Sequence, residues 1–158
     1  MKISNRIIGH GEEAPDQLLA NPANWRTHPP EQQTALEAVL EKVGWVQSVI
    51  VNQKTGFLVD GHLRVMLAMR RGEKKIPVSY VNLSSAEESL ILATIDPISA
   101  LADMDIDKLK DVVSDISELD SEPIEALLAG LLDEGKEKEE RGHSEPLECP
   151  ECGYRFDD

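Results

Sequence analysis

The stretch that most constrains this chain is Phe57-Leu58-Val59-Asp60-Gly61-His62-Leu63-Arg64-Val65-Met66-Leu67-Ala68. An apolar run suited to a buried strand breaks at Asp60-Gly61, and a segment with helical spacing begins at once. A strand that turns on a glycine into a helix leaves the first backbone N–H groups unpaired, at the positive end of the helix dipole. Such a corner suits an anion. His62 and Arg64 add two donors to the first turn, where the dipole alone favours acids. The pattern marks a phosphate- or nucleotide-binding corner, against the plainer reading of a tight turn with solvated first-turn residues.

The flanking sequence organises itself around that corner. Ile3 to Ile8 reads as an edge strand, with a turn near Gly9-His10-Gly11. Asn21-Pro22-Ala23-Asn24-Trp25-Arg26-Thr27-His28-Pro29-Pro30 is a structured loop, because proline fixes φ and asparagine tolerates turns. Glu31 to Val43 is helical, with Leu36, Val39, Leu40 and Val43 on one face and Gly44 as its stop. Val46 to Asn52 and Phe57 to Val59 form a hairpin, residues 62–71 a helix stopped by Gly72, and Ile76 to Asn82 a further strand. Ser84-Ser85-Ala86-Glu87-Glu88 offers two overlapping capping boxes before Leu90, Ile91 and Leu92. Asp107 and Ser121 are placed to cap two further helices, the second stopped by Gly135. The fold class is mixed α/β: a compact domain over 1–104, an acidic helical extension over 105–135, a charged linker over 136–148, and a C-x-x-C tail over 149–158.

Charge sharpens this division. The net charge is −14, yet residues 1–85 balance at +2 while residues 86–135 carry −12 and residues 136–158 carry −4. An acidic back half disfavours nonspecific duplex binding, leaving local contacts through the first half open. No apolar run approaches the ~20 residues of a membrane span. The first residues lack a secretory signal, and two cysteines in one short motif give no disulfide framework, so a reducing cytoplasm is expected.

Each candidate side chain has a plainer use. His62 is a candidate acid/base. Asp60 is a helix cap, a metal-chelating carboxylate or a general base; if Mg²⁺ accompanies a nucleotide, Asp60 with Glu12, Glu13 or Asp96 would supply its oxygens. Arg26 is a second phosphate arm or a loop residue, while Asn21 and Asn24 serve turn chemistry. Trp25 and Trp45 could stack on a base, but with aromatic residues only 4% of the chain the core is expected to need them. Arg70, Arg71, Lys74 and Lys75 suit a solvated helix C-terminus, with a nucleic-acid contact patch as the lesser reading. Cys149 and Cys152 resemble half a zinc ribbon; they supply two of the four ligands a structural Zn²⁺ takes, with His143 a poor third.

The order of Asn-Pro-x-Asn-x-Arg loop, helix, Val-Gly-Trp-Val-Gln-Ser-Val-Ile-Val and Val-Asp-Gly-His-Leu-Arg-Val resembles the ParB N-terminal/sulfiredoxin-like superfamily over residues 14–104. More narrowly, it looks like ParB-like domains of phages and mobile elements, which have an Asp-Pro stretch where Asp96-Pro97 stands here. The resemblance implies nucleotide phosphates (CTP or ATP) at Gly61, His62 and Arg64, with Gln47 and Ser48 edging the pocket. Sulfiredoxin activity requires a cysteine beside the corner, and none is present. Partition proteins carry Gly-Glu-Arg-Arg, of which only Arg64 keeps the basic role, and they continue into a DNA-reading helix-turn-helix. The helices after residue 104 are acidic, the wrong sign for phosphate contact.

The implied function is nucleotide or phosphate binding in phage or mobile-element DNA metabolism: modification, partition or processing. The acidic helices then serve protein–protein contact, with DNA or a DNA-modifying protein as the further partner. The alternatives are a metal-dependent nuclease, a nucleotide-dependent phosphotransferase, or a non-catalytic adaptor.

Overall fold

The computed structural model describes residues 3–116, 120–138, 147–148 and 155–156. The chain divides into two compact units, Met1–Pro97 and Ile98–Asp158. The first contains a four-stranded sheet in the order β1-β4-β2-β3. Its strands are β1 (Ile7–Glu13), β2 (Val49–Asn52), β3 (Leu58–Asp60) and β4 (Ile76–Val81), and its helices are α1 (Pro30–Val43), α2 (His62–Arg71) and α3 (Ser85–Ser99), the last running on through Pro97. The sheet is mixed: β4 pairs antiparallel with β1 and parallel with β2, while β2 pairs antiparallel with β3. This is the α/β class expected from the sequence.

Two apolar clusters follow from the strand period. Val49, Val51, Leu58, Ile76 and Val78 pack with Val65 and Ala68 of α2, and Trp45 and Tyr80 close that cluster. Val59, Val81 and Leu83 pack with Ile50 and with Ile91 of α3. Adjacent residues of β2 and of β3 serve opposite clusters, as side chains alternating across a pleat must.

Several local expectations are corrected. Gly9-His10-Gly11 is not a turn; it lies inside β1, where the register shifts between Ile7 and Gly9. Gly11 fits there because Tyr80 lies against this strand: a methyl group at Gly11 would sit 3.2 Å from the Tyr80 ring, whereas one at Gly9 would meet nothing within 4 Å. The strand expected from Val46 begins only at Val49, and Val46 is exposed. Trp25 is not core; it is 60% exposed, whereas Trp45 packs as expected.

In the second unit, α4 (Ile106–Ser114) is capped by Asp105, whose carboxylate accepts the Lys108 N–H, and not by Asp107. The fifth helix, α5 (Glu122–Lys138), passes through Gly135, since an interior glycine costs a helix only ~1 kcal/mol. The two helices pack together, with Ile106 and Ile124 buried. Residues Leu147–Glu148 and Arg155–Phe156 pair as a short antiparallel ladder of β5 and β6. Cys149, Cys152 and His143 lie outside the described residues. Among the described residues, no helix is long and apolar enough to cross a membrane.

Candidate functional site

Gly61 makes the corner possible. It takes a left-handed conformation, φ 92° and ψ 19°, at the N-cap of α2. A methyl group there would stand 2.6 Å from Val49 Cγ1 and 2.9 Å from Val49 Cβ. Any side chain thus meets both an unfavourable φ and a core strand at its back. No side chain caps α2, and its first turn holds no acid. The first N–H groups and the positive dipole end therefore have no side-chain cap at this strand-to-helix junction.

Arg64 lies across this junction. Its Nη2 donates to Asp60 Oδ2 at 2.7 Å and its Nη1 to Gln47 Oε1 at 2.7 Å. The side chain is only 14% exposed, and its Nε is buried without a hydrogen-bond partner among the described residues. A buried, unpaired guanidinium N–H is costly in a finished core. Asp60 is accordingly an ion-pair partner rather than a helix cap.

His62 is placed by the proline-rich loop. Its Nε2 accepts the backbone N–H of Asn21 at 3.3 Å. That bond puts the ring proton on Nδ1, so neutral His62 offers a donor rather than a free lone pair. Burial lowers its pKa below the ordinary histidine value; Asp60 opposes that shift, and the charges of His28 and Arg26 reinforce it. Those charges thus lie within electrostatic reach of the corner. Arg26 itself forms an ion pair with Asp96.

Beside Gln47, Ser48 Oγ lies 2.6 Å from Ser79 Oγ, which lies 3.0 Å from His10 Nδ1. The structure thus extends the expected Gln47–Ser48 edge by two residues, Ser79 and His10. Sequence reasoning missed both, because their bonds join β1, β4 and the start of β2 across 31 and 69 positions. His10 lay in an apparent turn.

The largest omission is Glu88. Of the two overlapping capping boxes the sequence offers, the one that forms is that of Ser84 and Glu87, whose Oε2 accepts the Ser84 N–H at 2.7 Å. Arg6 pairs with the same Glu87 carboxylate at 2.8 Å, and this carboxyl is held at about 2 by bonds from Ser84 and Arg6. Glu88 instead turns inward and is 7% exposed. Asn21 donates to it at 3.0 Å, Asn52 at 2.6 Å and Thr55 at 2.6 Å. Burial raises the pKa of its carboxyl, but those three bonds outweigh burial and leave it below the ordinary value. Glu88 therefore joins α3 to the hairpin and, through Asn21, to His62.

Three of the four carboxylates named for Mg²⁺ are engaged by other side chains. Asp60 holds Arg64, Asp96 holds Arg26, and Glu13 accepts from Tyr80 Oη at 2.6 Å. Among the described residues, no group of three or more His, Cys, Asp or Glu converges on one point. A separate cleft of about 210 Å³ lies at the other end of α2, lined by Leu40, Trp45, Ala68 and Arg71.

No protein-family model matches the chain, and no curated protein matches it. Among solved structures, it is similar to the C-terminally truncated chromosome-partitioning protein ParB from Caulobacter crescentus, complexed with CTP-γ-S. The two are 25% identical with a TM-score of 0.53, over 67% of this chain and 60% of that one. It is also similar in fold to a Pnob8-like ParB-N domain, at 12% identity and a TM-score of 0.50, over 98% of this chain and 59% of that one. The matched region spans about three-fifths of each of these neighbours. The fold is thus that of a ParB N-terminal domain, as the resemblance in sequence implied.

Proposed function

We propose that the chain binds a nucleoside triphosphate, CTP first among the candidates, with its phosphates at the Gly61–Arg64 corner. The observation that carries this reading is the uncapped N-terminus of α2 beside a buried guanidinium whose Nε has no partner. Backbone N–H groups, the Nδ1–H of His62 and the free N–H of Arg64 would converge on one anion. Arg26 would supply the second arm, and Gln47 and Ser48 the rim of the pocket. The ParB neighbour complexed with CTP-γ-S supports a nucleotide over inorganic phosphate. On the resemblance of its loop and corner motifs to ParB-like domains of phages and mobile elements, the chain would serve DNA metabolism of that kind, with its acidic helices available to protein partners.

On this reading Asp60 and His62 are binding groups. Asp60 orients Arg64, and the lone pair of His62 is engaged by Asn21, which leaves its N–H for the ligand. A nuclease or phosphotransferase would instead need His62 as the base, and metal-dependent turnover that disappears in His62→Ala would establish it.

The direct test is a thermal-shift titration with CTP, ATP and GTP, each with and without Mg²⁺. A ligand that binds only the folded state raises stability by ~2.7 kcal/mol at a hundredfold excess over its dissociation constant. A shift with one nucleotide, absent in Arg64→Ala, is the expected result. No shift with any of them would overturn the reading in favour of a protein adaptor.

A further inference from the structure

The loop over the corner is fastened to α3 at three successive turns. Asn21 Nδ2 donates to Glu88 Oε1 at 3.0 Å, Trp25 Nε1 donates to the Leu92 carbonyl at 3.1 Å, and Arg26 pairs with Asp96. Positions 88, 92 and 96 are four apart and share one helix face. The first two fastenings are neutral at the loop side and place its backbone. The third differs in kind, because it engages a cation that acts on His62. It is also partly open to water, the two side chains being 25% and 42% exposed.

A guanidinium recognises a carboxylate and a phosphate through the same geometry of parallel N–H donors. We propose that Asp96 is a built-in competitor for the ligand: its carboxylate holds Arg26 in the free protein and yields it to a phosphate bound at the corner. This rests on the nucleotide reading of that corner. The exchange replaces one anion by another on Arg26. The loop stays fastened through Glu88 and Leu92, so only side chains need move. The Asp96 pair then lowers the protein's affinity for nucleotide by the free energy needed to release Arg26. It also sets a threshold that a single monophosphate meets less well than a longer phosphate chain.

Calorimetric titration of the wild type, Asp96→Asn, Arg26→Ala and the double variant with CTP, ATP and tripolyphosphate tests the exchange. Asp96→Asn should bind about two- to fivefold more tightly, the worth of a part-exposed ion pair. Arg26→Ala should bind more weakly, and the double variant should match Arg26→Ala, since without the arginine Asp96 has nothing to hold. Equal or weaker binding by Asp96→Asn, while Arg64→Ala titrated alongside still weakens it, overturns the competitor and leaves the corner standing. Binding by none of the four proteins overturns both. A gain in Asp96→Asn that persists in the double variant also overturns it, because the effect would then be general charge removal and not release of Arg26.

Discussion

The two ends of α2 carry the same residue types for opposite reasons. At its C-terminus, Arg70 and Arg71 sit where the dipole favours cations, and α1 provides partners: Arg70 donates to Gln33 at 3.2 Å, and Arg71 pairs with Glu37 and Glu41. Gly72 closes that end in a left-handed conformation with its N–H on the last turn. At the N-terminus, His62 and Arg64 sit where the dipole disfavours them, and Gly61 holds the junction open. Basic residues at a helix end thus indicate function only when the local field argues against them. The C-terminal pair is accounted for by folding; the N-terminal pair is accounted for, on the proposed reading, by a bound anion.

Substituting the two glycines should separate the ends most widely. Gly61→Ala forces a methyl group into Val49 at a φ of 92°, while Gly72→Ala, at a φ of 70°, meets nothing within 4 Å. The expected losses in urea unfolding are about 3–5 kcal/mol for the first and about 1 kcal/mol for the second. Equal losses would mean that β2 yields freely, and the corner would lose its claim to rigidity. The arginines sharpen the contrast next. Arg64→Ala should cost about thirty- to a hundredfold in nucleotide affinity, the worth of charge-assisted bonds to phosphate, whereas Arg71→Ala should leave affinity unchanged. Similar losses at both would erase the distinction between the ends.

The smallest effect is the titration of His62. Its folded pKa is lowered, so the unfolded chain binds its proton more readily. The contribution is fully present above the ordinary histidine pKa and is lost as pH falls through the folded value. Stability should therefore decline on acidification below about pH 6.5, and less steeply in His62→Gln. An unchanged slope would show that the ring is not held neutral by its surroundings.

What could be read from the chain in advance follows the range of the interactions. The bounds of α2 were legible because glycines bracket a helical apolar pattern, and the hairpin because Lys54-Thr55-Gly56 separates two apolar runs. The corner itself was legible, since all its parts lie within five residues. Glu88 was not, because a capping motif explained it locally and nothing local reveals that Asn21, Asn52 and Thr55 converge on it. Gly11 looked like a turn residue until Tyr80, far along the chain, supplied the ring that glycine accommodates. The Asp105 cap was missed by two positions, as both aspartates fit the local rule and only the backbone chooses between them.

The three fastenings on α3 also make that helix a ruler. Each extra residue turns a helix by about 100°, so one residue inserted between Glu88 and Asp96 would carry Asp96 to another side of the helix. The loop could lengthen by several residues at little cost, since loop closure depends only weakly on length. The nine residues from Glu88 to Asp96 have no such freedom, and their number matters as much as their identity. Length variation in relatives that keep this loop should fall outside that interval.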